Sequence, residues 1–295
     1  MTKSDYRTYC EATPDLPLFM QAWWMDAVCV GKQWDVIAGM PCLIRKRFGM
    51  RFVLMPQETQ IAGAMSGNAA DIAAALDASH LAYYFQHYPI GSPLPEQLQH
   101  YGFRIRPHVT YRIEDLHDME AVEKAFSENK RRQIRKAAGL KTVEVTPADF
   151  YRFHGTCMQE QGKEIAYSEA FFRSLDAACE AHNARHIIGL ATESGELCAA
   201  VFLVYDKQTC YYLIPCYSPR HKDFGAGARL ALEAILFAAT HSRVFDFEGS
   251  MIPGVANHYA QFGSKPIYFY EVEKVYNPLA LRVLRVYRFL TRKKR

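Results

Sequence analysis

The stretch FDFEGSMIPGVANHYAQFGSK, residues 245 to 265, sets two carboxylates into an otherwise apolar strand pattern. Side chains alternate along a strand, so Asp246 and Glu248 share one face while Phe245 and Phe247 take the other. A carboxylate taken into apolar surroundings must be paired, hydrogen-bonded or neutralised. One of raised basicity beside a cleft can act as a general base toward an amine. Glu248, last before Gly249, is the candidate base; the competing roles are capping the turn that follows or pairing with a cation such as Arg243.

A second set of residues suits an anion. In KDFGAG, residues 222 to 227, Gly225 and Gly227 let backbone approach a ligand closely. The N–H groups of Gly225, Ala226, Gly227 and Ala228 then open a long helix, where phosphate oxygens are favoured, with Lys222 as the nearby cation. The run SENKRRQIRKAAG, residues 127 to 139, adds five positive charges within seven residues. Ser127 is its expected N-cap and Gly139 its expected C-cap. Arg131 and Arg135 share one helical face and Arg132 and Lys136 another, either as phosphate contacts or as a solvated face paired with acids. Backbone N–H groups over Ile214, Cys216 and Tyr217, where Pro215 is expected to interrupt the ladder, are the candidates to meet an oxyanion. No G-x-S-x-G motif surrounds Ser218 or Ser250, and the eleven histidines show no paired spacing with an acidic partner. The chemistry expected is direct attack by an amine on a thioester or ester, with no metal.

The elements that must carry these residues recur twice. WDVIAGM, PCLIRKRF and MRFVLMP read as three strands, followed by the helical NAADIAAALDAS and the strand LAYYFQ. RHIIGLAT, LCAAVFLVYD and TCYYLIPCYS are again three strands, followed by ARLALEAILFAATH and RVFDFEG. Both copies pass through a short helix to Tyr101-Gly102 or Phe262-Gly263 and close on a last strand, RPHVTYRIED or PIYFYEVEK. This order is an α+β arrangement of mainly antiparallel sheets with flanking helices. The expected division is 1–115, 116–275 and a basic amphipathic helix at 276–295, which either packs on its own domain or lies on an anionic bilayer. A chain of 295 residues with 49% hydrophobic content has room for two cores, and a net charge of +4 tolerates an anionic ligand without demanding one. Eight cysteines without a C-x-x-C pair read as reduced thiols. With no apolar start and no run near the roughly 20 residues a membrane span needs, a cytoplasmic protein is expected, with peripheral membrane contact through the last helix as a variant.

The order of elements, with SENKRRQIRKAAGLKTVEV at 127–145, CYSPRHKDFGAGARLALEAI at 216–235 and the 245–265 stretch, resembles the FemABX-like acyltransferases, built from tandem GNAT domains, over nearly the whole chain. The resemblance implies two GNAT-like halves, the second active and the first degenerate. It implies an acyl-CoA or aminoacyl-tRNA donor, with the Gly-rich loop on the pyrophosphate of coenzyme A. Lys222 stands where that family's loop has Gln or Arg, a departure from the pattern. By the same resemblance Tyr259 is the candidate acid for the leaving group, and the acceptor is a small-molecule or lipid-linked amine. No stable protein partner is inferred. The competing function is a non-catalytic scaffold of the same fold that holds RNA or a membrane surface through its basic helices.

Overall fold

A computed structural model describes residues 1–249 and 251–283, apart from the side chains of Lys222 and Asp223. In chain order the elements are α1 (Lys3–Ala12), α2 (Ala22–Val28), β1 (Gln33–Ile37), β2 (Met40–Arg47), β3 (Met50–Leu54), α3 (Ala69–Ala78), β4 (Leu81–Tyr88), α4 (Leu94–Leu98) and β5 (Arg104–Ile113). There follow α5 (Met119–Lys124), α6 (Glu128–Lys136), β6 (Lys141–Glu144), α7 (Pro147–Glu160), α8 (Glu169–Ala181), β7 (Arg185–Ala191), β8 (Leu197–Tyr205) and β9 (Thr209–Tyr217). After a 3-10 turn over Pro219–Phe224, the chain continues through α9 (Ala226–Ala239), β10 (Val244–Asp246), α10 (Pro253–Ala260) and β11 (Lys265–Val275). The architecture is the expected α+β one, with mostly antiparallel strands and flanking helices.

The chain divides into two compact units. One is Met1–His108 with the chain from Tyr268 onward; the other is Val109–Ile267. In the first, β1, β2, β3, β4 and β11 lie in that order, with only β3 and β4 parallel. In the second the order is β5 from Val109 on, β10, β9, β8, β7, β6, with only β10 and β9 parallel, while the start of β5 through His108 belongs to the first unit.

The two copies exchange their closing strands. RPHVTYRIED was expected to end the first copy, yet its Arg112 and Ile113 pair with Asp246 and Phe245 of β10. PIYFYEVEK was expected to end the second, yet Tyr270 to Val275 pair antiparallel with Tyr88 to Tyr83 of β4. Each strand goes where its apolar side chain is buried. Val272 joins Tyr84, Tyr88 and Phe103 in the first unit's core, and Ile113 joins Phe245 and Phe247 in the second. Burying a Val or Ile side chain stabilises by about 1.5–3 kcal/mol, enough to select a pairing.

Local chemistry sets the helix starts. Ser127 caps α6 by accepting from the Lys130 N–H, as expected. Asn68 caps α3 by accepting from Ala70 and Asp71. The small inner face of α9, with Ala228, Ala231, Ala234 and Ala238 buried, lets it pack closely on the second sheet. At the C-terminal end, residues 278–283 begin a helix whose Ala280 and Leu281 pack with Phe52, Leu54 and Tyr83 in the first unit. The rest of the basic helix expected over 276–295 lies outside the described residues. No helix among the described residues is long and apolar enough to cross a membrane.

Gly249 follows β10 with φ +67°, and a Cβ there would lie 2.1 Å from the Val109 carbonyl oxygen and 2.6 Å from Thr110 Cα. Both are backbone atoms of β5 and cannot swing aside. Gly249→Ala should destabilise the protein by more than about 1 kcal/mol, read as a lower unfolding midpoint in denaturant. An unchanged midpoint would mean that β5 does not press on this turn.

Candidate active site

The second unit opens where β9 and β10 part. Their parallel pairing covers Val244 with Thr209, Phe245 with Cys210 and Asp246 with Tyr211, and then stops. The chain after β10 stays with β5, since the Phe247 N–H donates to the Tyr111 carbonyl at 2.9 Å. β9 continues with β8 as far as Tyr217 opposite Ala199. Pro215 does not interrupt that ladder, as the sequence had suggested, but sits in register opposite Val201. The Ser218 N–H donates to the Cys198 carbonyl. By alternation the N–H groups of Cys216 and Ile214 point the same way, toward β8, while the missing N–H of Pro215 falls on the other edge. Of the three oxyanion candidates, only the Tyr217 N–H faces the opening. The side chains of Ile214 and Cys216 are buried.

At this opening the C-terminal half of α6 meets the start of α9. Gly225 is the N-cap of α9 with φ +75°, and a Cβ there would lie 2.3 Å from the Gln133 carbonyl oxygen of α6. A Cβ on Gly227 would lie 3.3 Å from the Tyr217 ring. Both glycines are thus close-approach positions, and what they approach is the protein itself, α6 and Tyr217. The N–H groups of Ala228 and Arg229 bond back to the Gly225 carbonyl, and no side chain caps the helix. Those of Ala226 and Gly227 make no bond among the described residues and lie at the positive end of a 14-residue helix. Arg132 and Lys136 of α6 join Gly225, Gly227 and His258 around an open cleft of about 640 Å³. The basic run and the Gly-rich loop, far apart in the chain, line one cleft. The side chain of Lys222 lies outside the described residues.

Arg131 and Arg135 do not belong to this surface. They line a different groove with Glu120, Glu123 and Lys124, and the Arg131 guanidinium donates to the Lys124 carbonyl at 3.2 Å. Acids beside them reduce the attraction for phosphate. The two cationic faces of α6 thus meet different surroundings.

Beneath the cleft lies a residue the sequence did not single out. Lys130 is 2% exposed, with Nζ 2.8 Å from His258 Nδ1 and 3.1 Å from Gln133 Oε1. Burial brings the Lys130 ammonium down to about 8, and burial with the charge of Lys130 holds His258 down to about 4. Near neutral pH the imidazole is uncharged and accepts the ammonium proton at Nδ1. Within a run of five cations no charge pattern marks the inward one. The signal was position: Lys130 stands four residues before Ile134, on the apolar stripe of α6.

Asp246 and Glu248 have separated roles. Asp246 is 0% exposed and accepts from Arg112 Nε at 2.6 Å, from the Glu248 N–H at 2.7 Å and from the Thr110 hydroxyl. Its cation is Arg112 on β5, not Arg243. Glu248 stands past the end of β10 in the left-handed region, φ +63°, which costs a non-glycine residue of order 1–3 kcal/mol. Tyr259 stacks on Phe247 at 4.6 Å between ring centres, packed into the core. Burial, then the charge of Glu248, pushes its phenol up to about 12. Tyr259 therefore keeps its proton at neutral pH and feels the charge of Glu248.

Comparison with known proteins gives a consistent picture. Residues 124–259 match the family described as Acetyltransferase (GNAT) domain. No curated protein matches. Among solved structures, FemX is 11% identical, with 96% of this chain and 98% of that one covered and a TM-score of 0.69. L-PGS from Bacillus licheniformis is 13% identical, with coverages of 97% and 96% and a TM-score of 0.60. A tandem GNAT protein from the clavulanic acid biosynthesis pathway is 14% identical, with coverages of 85% and 93% and a TM-score of 0.51. These likenesses are of fold.

Two predictions follow from the buried polar groups. Removing the charge of a buried pair leaves its partner uncompensated, so Asp246→Asn should cost about 3–5 kcal/mol in chemical denaturation. The second concerns pH. His258 is protonated near 6.5 when unfolded but only near 4 when folded, so the unfolded chain binds more protons between those values. Its contribution to stability is complete above pH 6.5 and is lost as pH falls toward 4. Lys130, lowered from 10.5 to about 8, makes stability rise as pH goes from 8 to 10.5. His258→Gln should flatten the acid limb of a stability–pH profile, and Lys130→Met the alkaline limb; profiles parallel to wild type would remove these assignments.

Proposed function

We propose that this FemABX-like protein of the GNAT acyltransferase class moves an acyl or aminoacyl group from a phosphate-bearing carrier to an amine, using the cleft between the C-terminal half of α6 and the start of α9. The observation that carries this reading is the uncapped start of α9 facing Arg132 and Lys136. Backbone donors at a helix N-terminus and two fixed cations suit a pyrophosphate. The matching helix start in the first unit, that of α3, is instead occupied by Asn68. Gln86, at the place in the first copy that corresponds to Glu248, accepts from the Tyr84 hydroxyl and donates to the Pro41 carbonyl, a packing role. The second unit is accordingly the active one and the first its degenerate copy.

In the reaction the amine nitrogen attacks the carbonyl carbon of the carried group. Glu248 takes the proton released by the amine, and the Tyr217 N–H meets the oxyanion. The carrier's sulfur or oxygen leaves with a proton from Tyr259. Arg132, Lys136 and the N–H groups of Ala226 and Gly227 hold the carrier's phosphates. Direct transfer needs no covalent enzyme intermediate.

Acyl-CoA is the donor this geometry favours, because the site is a compact pyrophosphate-sized patch and Arg131 and Arg135 face elsewhere. An aminoacyl-tRNA would draw on a wider cationic surface, and the acceptor is a small-molecule or lipid-linked amine.

Reversing both cleft charges, Arg132→Glu with Lys136→Glu, should weaken acetyl-CoA binding by about 100-fold or more in calorimetry, while Arg131→Glu with Arg135→Glu changes it less than about threefold. Equal effects of the two pairs, with RNA binding whose affinity falls steeply with salt, would point to the tRNA donor instead. Glu248→Gln should lower turnover by about 100-fold with an unchanged melting temperature.

A further inference from the structure

The first unit carries a second cluster with chemistry of its own, made by three neighbouring strands that each offer one side chain. In the β4–β11 register His87 stands directly opposite Glu271, so their side chains leave one face of the sheet. His108 comes from β5, and its Nε2 lies 3.1 Å from Glu271 Oε2. The two imidazole rings are 4.8 Å apart between centres. One potential ligand atom from each of the three residues lies within 4.8 Å of the others.

The surroundings orient these atoms. His87 Nδ1 is 3.0 Å from the Gln60 carbonyl oxygen, which can only accept, so the proton sits on Nδ1 and the lone pair on Nε2. That Nε2 is buried and has no hydrogen-bond partner. Glu271 is held from its other side, because the Arg106 guanidinium lies 3.0 Å from Oε1. Oε2 is left on the side of the histidines. A backbone carbonyl behind one imidazole and a cation behind the carboxylate are the outer contacts that fix ligand tautomer and aim around a bound metal. His108, with 31% of its side chain exposed, gives access from solvent.

We propose that His87, His108 and Glu271 form a binding site for a first-row divalent cation, Zn²⁺ above all, in the first unit. Two imidazoles and one carboxylate are a ligand set that zinc takes, with a fourth position left for water. Bonds of about 2.0 Å bring tetrahedral ligand atoms to about 3.3 Å from one another, so the wider spacing closes by rotation of the partly exposed His108. The ion would cross-link β4, β11 and β5 and so pin the returning strand β11 into the first unit's sheet. The cluster is independent of the acyl-transfer site: none of its residues lines the α6–α9 cleft, and its test requires no substrate. Spacing could not reveal it, because the ligands come from three segments of the chain that only the strand exchange brings side by side.

The test is a Zn²⁺ titration of the chelator-stripped, tag-free full chain against a chromophoric chelator, with melting temperature followed in parallel. One equivalent should bind with a submicromolar dissociation constant and raise the melting temperature by several degrees, and Co²⁺ should give the visible bands of a four-coordinate site. His108→Gln and Glu271→Gln should each weaken binding by about 100-fold or more, whereas His100→Gln on the surface should not. His108→Gln decides the case if the more buried Glu271 variant fails to fold. Absence of a tight equivalent in wild type, or an equivalent that survives His108→Gln through thiolates elsewhere, would overturn the assignment.

Discussion

One carboxylate that never meets water organises the second unit. Asp246 ends β10 and satisfies three donors at once: Arg112 and Thr110 on β5, and the Glu248 N–H just ahead in its own chain. A charge at 0% exposure is tolerable only with partners of this quality. By tying the end of β10 to β5, Asp246 lets β9 go. The gap that opens beyond Tyr211 exposes one edge of β9, and the turn after Asp246 sets Glu248 in a left-handed conformation that Gly249 then extends. Site geometry here depends on an ion pair that itself takes no part in the chemistry.

The cleft is assembled from backbone as much as from side chains. Gly225 and Gly227 matter because they lack a Cβ where Gln133 and Tyr217 come closest, which lets the start of α9 pack against the C-terminal half of α6. A helix start left uncapped is a standing source of unsatisfied donors, and two cations across from it deepen the same potential. Lys130 underneath adds a charge whose burial is costly, and a neutral His258 and the Gln133 amide oxygen offset part of that cost. Together these groups create a positive field that water cannot fully screen.

The exchange of closing strands has a different consequence for the first unit. β11 brings Glu271 and Glu273, both nearly buried, against Arg106 and His108 at the end of β5. Carboxylates on an inner strand need such partners, so the charged cluster and the exchange support one another. A strand of purely apolar and polar alternation would have fitted either copy; Glu271 and Glu273 fit only beside Arg106.

Much of this was legible in the order of residues. The duplicated run of strand and helix periods, the cap at Ser127 and the glycines at Gly225 and Gly227 are local signals, because period, turn chemistry and glycine permissiveness act within a few residues. What the tertiary structure alone decided are the long-range choices. Which copy each closing strand joins, that Arg112 rather than Arg243 pairs with Asp246, that Arg132 and Lys136 face the Gly-rich loop while Arg131 and Arg135 turn away, and that Lys130 points inward are all settled by burial and pairing between distant segments. A local pattern can say that a strand is amphipathic or a helix cationic. Only packing, where each buried charge must find its counterpart, says against what.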